Sequence, residues 1–341
     1  MQTFPNEPGQ FMNKPIRHQP FACRICSKRA ESEIFLLSEM MHGTRETFEY
    51  AKCSNCGCLQ ILEIPADLGR YYPQDYYSMQ PRDEPDEYKG IKRLIAQWYC
   101  RSAALTPSSI LGHTVRRLLP MPTDFVSYGT YLIESRLRSS RDKILDVGCG
   151  ASPNRLAAFR RCGFRNVEGV DPFIEKDHIY EGVPVLRRTI DQLEGEYGLV
   201  MLHHSLEHTP DPVGTLRHAA RLLRPDGTCL IRVPVMGTYF WRRFGENWVE
   251  LDPPRHLYSF SVDAMRLLGE QTGLRLYKTT FDSSAWEIAA SIRYERGIPL
   301  RSTQKSTDGF SATELSEFNK KAQELNDNQD AGRACFYFKR I

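Results

Sequence analysis

Two glycines and one carboxylate stand close together at the end of an apolar run. Residues 143–150 end in Asp146-x-Gly148-x-Gly150. Glycines at this spacing let the backbone approach a ligand, as at the turn between a buried parallel strand and a helix. A pyrophosphate-binding turn would place a third glycine where this chain has Pro153. A fixed carboxylate would repel a pyrophosphate, so the site better suits a ligand that carries an ammonium and a sulfonium.

Four cysteines form two pairs, and each pair has two residues between its members. They are Cys23 with Cys26 and Cys53 with Cys56. This spacing lets both thiolates of a turn reach one ion, and four thiolates favour a closed tetrahedral zinc site with a structural role. The alternative is two unrelated turns with free or oxidised cysteines. Cys58 could replace Cys56 as a ligand, but its position favours the core of the module.

Alternating strands and helices must position these residues. The strand Val167–Val170 ends at Asp171, which follows Gly150 by about 20 residues, the spacing of a carboxylate that holds a ribose diol. The alternative role for Asp171 is a helix N-cap. Further strands are predicted over residues 183–186, 199–202, 228–233 and 334–338. Strands that alternate with helices indicate a parallel sheet.

Three motifs, in order along the chain, carry a family resemblance. The Asp146-x-Gly148-x-Gly150 turn resembles the first motif of class I S-adenosylmethionine (SAM)-dependent methyltransferases. Residues 203–212 resemble the Leu-Glu-His and Asp-Pro segment of the ubiquinone-biosynthesis-like members, and residues 222–227 resemble their Leu-(Lys/Arg)-Pro-Gly-Gly turn. With the cysteine pairs and a tyrosine-rich segment upstream, the whole chain resembles bacterial methyltransferases with an N-terminal zinc module that act on nucleotide-linked sugars or glycan intermediates.

The resemblance implies an α/β fold. Its parts would be a Rossmann-like, seven-stranded SAM methyltransferase sheet, a small N-terminal zinc-binding β module and a helical linker. The expected boundaries are a flexible tail over 1–20, a zinc-ribbon-like module over 21–62, a tyrosine-rich linker with a helical cap over 63–140, and the methyltransferase domain over 141–341. SAM and a structural Zn²⁺ are the implied cofactors.

The resemblance also implies which residues contact SAM. They surround the glycine turn and follow the neighbouring strands: Asp146, Gly148, Cys149, Gly150, Asp171, Ile190, Asp191 and His203. Ile190 would offer an apolar face to the adenine, and Asp191 would accept a hydrogen bond from the adenine amine.

Methyl transfer requires a group that removes a proton from the acceptor, and histidine suits this step because its pKa lies near neutrality. The histidine candidates, in order of preference, are His256, His204 and His208. Tyr76 or Tyr77 could contribute a hydroxyl. In the family resembled, a Glu-His pair precedes the last helix, but here Arg255 stands in place of the glutamate. Loss of that carboxylate favours O-methylation over C-methylation.

Composition sets limits on partners. The chain has 45 basic and 42 acidic residues, a net charge of +3 and a pI near 8.3, which argue against a nucleic-acid partner. No apolar run approaches the ~18 residues of a membrane span, and the first residues lack the apolar stretch of a signal peptide. We therefore expect a cytoplasmic protein, and the resemblance implies that it acts on a small-molecule or glycan acceptor.

Two other functions fit parts of the pattern. An RNA methyltransferase could grip its substrate with the zinc module and the basic, periodic segment 91–117. A non-catalytic partner protein could keep the fold and use the zinc module for docking. The segment 91–117 is more typical of a solvated helix face that covers the pocket than of a membrane-surface or RNA-binding segment.

Overall fold

A computed structural model describes residues 14–72, 89–302 and 307–341 of the chain. Tyr76 and Tyr77, which the sequence analysis proposed as hydroxyl donors, lie outside these ranges. The described residues form two sheets, one of five strands and one of eight, surrounded by helices.

The large sheet has eight strands, one more than the seven expected, and six of them lie where the sequence predicted strands. Its strands are β5 (Ile144–Val147), β6 (Val167–Val170), β7 (His178–Tyr180), β8 (Val183–Leu186), β9 (Tyr197–His203), β10 (Leu223–Pro234), β12 (Leu274–Phe281) and β13 (Arg333–Arg340). They lie side by side in the order β12-β13-β10-β9-β5-β6-β8-β7. The predicted Rossmann-like fold class is confirmed, and the extra strand β7 is a three-residue edge strand.

Strand β9 is buried on both faces, which explains its unbroken apolar run over residues 199–202. In β9, Val200 and Leu202 join one core cluster, whereas Leu199 and Met201 join the other. Alternate residues thus point to opposite faces of the sheet, as strand geometry requires. Strands β5, β6 and β9 run parallel, so their carboxyl ends meet at one edge.

Nine helices in the described ranges cover the sheets. They are α1 (Gly90–Leu105), α2 (Ile110–Arg117), α3 (Thr123–Glu134), α4 (Asn154–Arg161), α5 (Pro212–Leu222), α6 (Tyr239–Phe244), α7 (Val262–Gln271), α8 (Ala285–Glu295) and α9 (Ala312–Asp327). Helices α4 and α5 follow β5 and β9 and cover opposite faces of the large sheet, because the buried residues of α4 join one core cluster and those of α5 the other. Within the described ranges, no helix combines the length and apolarity that a membrane crossing needs.

The small sheet is antiparallel and contains β1 (Arg17–Ala22), β2 (Arg29–Ser38), β3 (Thr47–Lys52), β4 (Leu59–Ile61) and β11 (Tyr258–Ser259). Strand β1 begins at Arg17, so the prediction of a flexible tail over 1–20 is wrong for its last residues, which pair with β2. Sequence reasoning missed this strand because its residues are mostly polar and exposed.

The small sheet and the large domain share one core. Strand β11 comes from the segment after β10, yet it pairs with β4 of the small sheet through Tyr258 and Ser259. Buried residues of both sheets belong to the same apolar cluster. The N-terminal module is therefore integrated with the large domain.

Candidate active site and metal centre

The glycine turn after β5 needs glycine for two physical reasons. Gly148 has a φ of +73°, which disfavours any residue with a Cβ. A Cβ built there would lie 2.5 Å from the Cβ of Ser205. The N–H of Gly148 donates to the carbonyl of Val170 over 2.8 Å. Gly150 also has a positive φ, of +69°. The turn is thus fixed against the ends of β6 and β9.

Asp171 holds this turn from the end of β6. Its Oδ2 accepts from the N–H of Gly150 over 3.0 Å, and its Oδ1 accepts from the N–H of Phe173 over 2.9 Å. Burial raises the pKa of this carboxyl, and the two N–H donors lower it. A carboxylate has about four acceptor sites, so Asp171 can still accept from the hydroxyls of a diol.

The sequence suggested that Asp146 carries a negative charge with no cation beside it, but the structure pairs it with an arginine. It is buried beneath the turn, and the Arg155 guanidinium of α4 donates to its Oδ2 over 3.1 Å. Burial raises the pKa of Asp146, and Arg155 lowers it. Because a cation already pairs with this carboxylate, its preference for a cationic ligand is weaker than the sequence predicted. Sequence reasoning missed Arg155, which has no motif signal.

The remaining predicted SAM contacts lie on neighbouring strand ends. Burial raises the pKa of the Cys149 thiol and lowers that of His203, so both side chains are neutral. Nε2 of His203 lies 3.3 Å from the hydroxyl of Tyr131, a residue of α3. Beyond β8, Ile190 is buried and Asp191 is exposed in a short turn that begins at Thr189. The structure brings Asp146, Gly148, Gly150, Asp171 and His203 to one edge, and Ile190 and Asp191 stay predictions for the adenine.

Beside this edge, three histidines surround one buried glutamate. The Oε1 atom of Glu207 lies 3.1 Å from Nδ1 of His204 and 4.0 Å from Nε2 of His256. The rings of His208 and His256 meet edge to face at 4.6 Å. Ligand atoms of Glu207, His208 and His256 lie within 4.8 Å of one another, so the group could also hold a cation. The two best predicted base candidates thus converge on one carboxyl group.

The hydrogen-bond network assigns the tautomers. His256 donates from Nδ1 to the carbonyl of Glu250 over 2.8 Å, and His208 donates from Nδ1 to the carbonyl of Arg255 over 2.9 Å. Burial lowers the pKa of His256 and lowers that of His208 to about 3. Both rings are therefore neutral, and their Nε2 atoms carry lone pairs that can accept a proton.

His204 is bound at both ring nitrogens. Its Nε2 accepts from the guanidinium of Arg232, so its Nδ1 carries the proton that it donates to Glu207. Its φ of +53° is strained for a residue with a Cβ, and this backbone conformation points the ring into the network. Such a histidine orients Glu207 better than it removes a proton.

Glu207 was missed as a site residue, although it lies in the Leu-Glu-His segment that carried part of the resemblance. It is fully buried, and burial raises its pKa to about 8. Among the described residues, its Oε2 has no hydrogen-bond partner. The expectation that His256 has no carboxylate neighbour is therefore wrong, because Glu207 supplies one from a different segment.

Arg255, which replaces the glutamate expected beside His256, has a structural task. It is fully buried, and its Nη2 donates to Glu39 over 2.7 Å and to Asp252 over 2.6 Å. Glu39 follows β2, so this ion pair ties the loop before β11 to the small sheet. Trp248 in the same segment is also fully buried and donates to Glu287 over 2.8 Å. This segment is a packed structural element.

The four predicted metal ligands come together. The sulfurs of Cys23 and Cys56 lie 3.6 Å apart, and those of Cys26 and Cys53 lie 3.7 Å apart. A tetrahedral site with Zn–S bonds of ~2.3 Å would give S–S distances of about 3.8 Å. Backbone N–H groups and Gln60 also donate to the Cys23 sulfur, as expected for a thiolate. These residues fit a structural metal site with no open position.

Comparison with known proteins supports the family resemblance. Residues 114–279, just under half of the chain, match the family model described as a methyltransferase domain. Together with the strand order of the large sheet, this match supports a class I SAM-dependent methyltransferase domain over these residues.

Among curated proteins, the chain is similar to the ubiquinone biosynthesis O-methyltransferase of Pseudomonas aeruginosa (strain UCBPP-PA14), with 33% identity over 107 residues, 28% of this chain and 45% of that protein. It is also similar to the same enzyme of Psychrobacter arcticus, with 22% identity over 169 residues, 43% of this chain and 63% of that protein. The chain thus spans less than two thirds of these relatives. A solved structure of coclaurine N-methyltransferase with N-methylheliamine and SAH matches with 13% identity and a TM-score of 0.40, over 64% of this chain and 72% of that chain.

Proposed function

We propose that the chain transfers the methyl group of SAM to a hydroxyl oxygen of a small acceptor, a nucleotide-linked sugar or a related glycan intermediate. The observation that carries the proposal is the neutral His256, whose Nε2 faces the buried Glu207 at the carboxyl edge of the sheet. The glycine turn and Asp171 would hold SAM, and Cys23, Cys26, Cys53 and Cys56 would hold a structural zinc ion.

His256 acts as the general base in this proposal. When bound, SAM supplies an electrophilic methyl group on a sulfonium. Nε2 of His256 takes the proton from the acceptor hydroxyl, the new O–C bond forms, and the C–S bond breaks with its electron pair left on sulfur. Glu207, 4.0 Å from Nε2, stabilises the resulting imidazolium when it is ionised.

The polar side chains near His256 and Glu207 support a hydroxylated acceptor. Arg232 and Asp282 form an ion pair at 2.5 Å, and the Tyr131 hydroxyl lies 3.4 Å from the same carboxylate. Arg232 and Tyr131 also contact His204 and His203 at the end of β9. A small number of polar groups held in fixed positions can orient a polar ligand such as a sugar.

C-methylation is a second candidate, and Glu207 favours it. Breaking a C–H bond requires a stronger base than deprotonating a hydroxyl, and an imidazole beside a carboxylate is stronger than an imidazole alone. Nuclear magnetic resonance of a ¹³C-methyl product distinguishes the two candidates, because O-methyl and C-methyl carbons have separate chemical shifts.

An acceptor screen tests the proposal. Intact protein is incubated with SAM labelled in its methyl group and with either nucleotide sugars or RNA. We expect label in a nucleotide sugar and none in RNA. Label in RNA alone would support the RNA methyltransferase function. If the protein binds SAM but transfers label to none of the acceptors, the result would contradict turnover and support the non-catalytic partner function.

The pH dependence of turnover follows from Glu207. Because its pKa is raised to about 8, its ionised form predominates only above that pH. Only this form stabilises protonated His256, so kcat should rise as the pH increases through about 8. A pH–rate profile with saturating substrates measures this rise. In Glu207→Gln, kcat should fall at least ~10-fold and the rise should disappear; an unchanged profile would contradict this role.

A further inference from the structure

Helices α1 and α2 expose large apolar side chains that do not pack against the core. In α1, Ala96, Tyr99 and Cys100 are buried against the domain. The other side of the helix carries large apolar side chains at a spacing of three to four residues, all of them exposed: Ile91, Leu94, Ile95 and Trp98. Ile91 is 70% exposed, although an isoleucine gains free energy from burial.

Helix α2 also exposes large apolar side chains at its two ends. Ile110 at its start is 85% exposed, and Leu118 at its end is 81% exposed. Between the two helices lies an apolar groove of about 300 Å³, lined by Leu94, Ile95, Trp98, Val115 and Leu119. Leu94, Ile95 and Trp98 of α1 therefore share one apolar surface with Val115 and Leu119 of α2, and we call this surface the α1–α2 face.

The segment 89–123, which contains α1 and α2, carries positive charge alone. Residues 89–123 contain no aspartate or glutamate. They contain six cationic side chains: Lys89, Lys92, Arg93, Arg101, Arg116 and Arg117. The whole chain is nearly balanced, with 45 basic and 42 acidic residues, so this local excess does not reflect overall composition.

We propose that the α1–α2 face docks on an anionic lipid surface. Helices that lie in a membrane interface combine exposed Ile, Leu and Trp with Lys and Arg, because the apolar side chains enter the acyl boundary and the cations contact anionic headgroups. The sequence analysis favoured a solvated face that covers the pocket, but a solvated face does not explain why the apolar side chains point outward.

Other occupants fit the face less well. RNA contact needs cations and stacking rings, and it gains nothing from Ile91, Ile110 or Leu118. A symmetric dimer through this face would bring two copies of the basic segment 89–123 together, which is repulsive. The anionic lipid surface satisfies both the charge and the apolar side chains. The proposal does not depend on the methyl acceptor.

Co-sedimentation of the intact protein with vesicles tests the docking. We expect binding to vesicles of phosphatidylcholine mixed with phosphatidylglycerol, much weaker binding to phosphatidylcholine alone, and weaker binding at high salt. The double variant Ile91→Ser/Leu94→Ser should lower the partition coefficient at least ~10-fold, because both side chains would enter the interface. Both positions are exposed, so circular dichroism should show an unchanged fold.

The chain offers a matched control in Ile179, which is 74% exposed on β7 and lies outside the α1–α2 face. Ile179→Ser should bind vesicles as the unchanged protein does. A protein that fails to sediment with anionic vesicles, or that retains a labelled RNA with equal affinity in both variants, would overturn the proposal. Equal loss of vesicle binding in Ile179→Ser would also overturn it, because the effect would not be specific to the face.

Discussion

Replacing His256 with glutamine is expected to lower kcat by ~10²–10⁴-fold and to leave the affinity for SAM within about twofold. Glutamine keeps a side chain that can donate to the carbonyl of Glu250, as Nδ1 of His256 does over 2.8 Å. It cannot accept the acceptor's proton. Single-turnover kinetics with labelled SAM measure the chemical step, and calorimetry measures SAM affinity.

Two further histidine variants make this result specific. His113 is exposed on α2, so His113→Gln should retain full turnover. His208 also presents a neutral imidazole, and His208→Gln should reduce kcat less than His256→Gln, because the Nε2 atom of His256 is the one that faces Glu207. Full turnover in His256→Gln would remove His256 from the mechanism, and a larger loss in His208→Gln would transfer the base role to His208.

Loss of the proposed zinc ion should disable the active site from a distance. The Tyr50 hydroxyl on β3 donates to the carbonyl of His256 over 2.8 Å. Strand β4 pairs with β11, only two residues beyond His256, and Ser261 donates to the carbonyl of Cys56. The small sheet therefore fixes the backbone that carries the proposed base.

Structural zinc sites contribute about 10–16 kcal/mol of metal-binding free energy in small zinc-finger peptides, so a module that loses zinc should unfold. We expect Cys53→Ser to lose the metal, to melt at a markedly lower temperature and to lose at least ~100-fold in kcat. Elemental analysis, thermal melting and the methyl-transfer assay measure these three effects.

Cys58 provides the matched control for this prediction. It is buried in the same module, but it is not one of the four converging cysteines, and its thiol donates to the carbonyl of Leu59 over 3.7 Å. Cys58→Ser should keep a full zinc content and most of the activity. A purified protein without zinc, or a Cys53→Ser protein with normal turnover, would contradict the structural metal site.

The sequence predicted those features that local pattern determines. The alternation of short strand-like segments with helices located β6 and β8 with their observed bounds, because parallel strands are joined by helices. The cysteine spacing predicted the four converging sulfurs, because each pair occupies one tight turn. The position of Asp171 after β6 placed it correctly beside Gly150.

Contacts between distant segments were beyond sequence reasoning. Glu207 meets His256 from another loop, and Arg255 pairs with Glu39 across 216 residues of chain. The contribution of β11 to the N-terminal sheet could not be predicted, since its two residues carry no strand signal of their own. The pairing of Asp146 with Arg155 arises within one strand–helix unit, but an arginine on a helix has many possible orientations.

The central claim is that the turn around Gly148 and Gly150 binds SAM. Calorimetric titration of the intact protein with SAM, and separately with NAD, tests it most directly. The account predicts one SAM site per chain, no NAD binding, and loss of SAM binding in Gly148→Ala, whose Cβ would meet Ser205 at a φ of +73°. Absence of SAM binding to the unchanged protein, or binding of NAD in its place, would contradict the account.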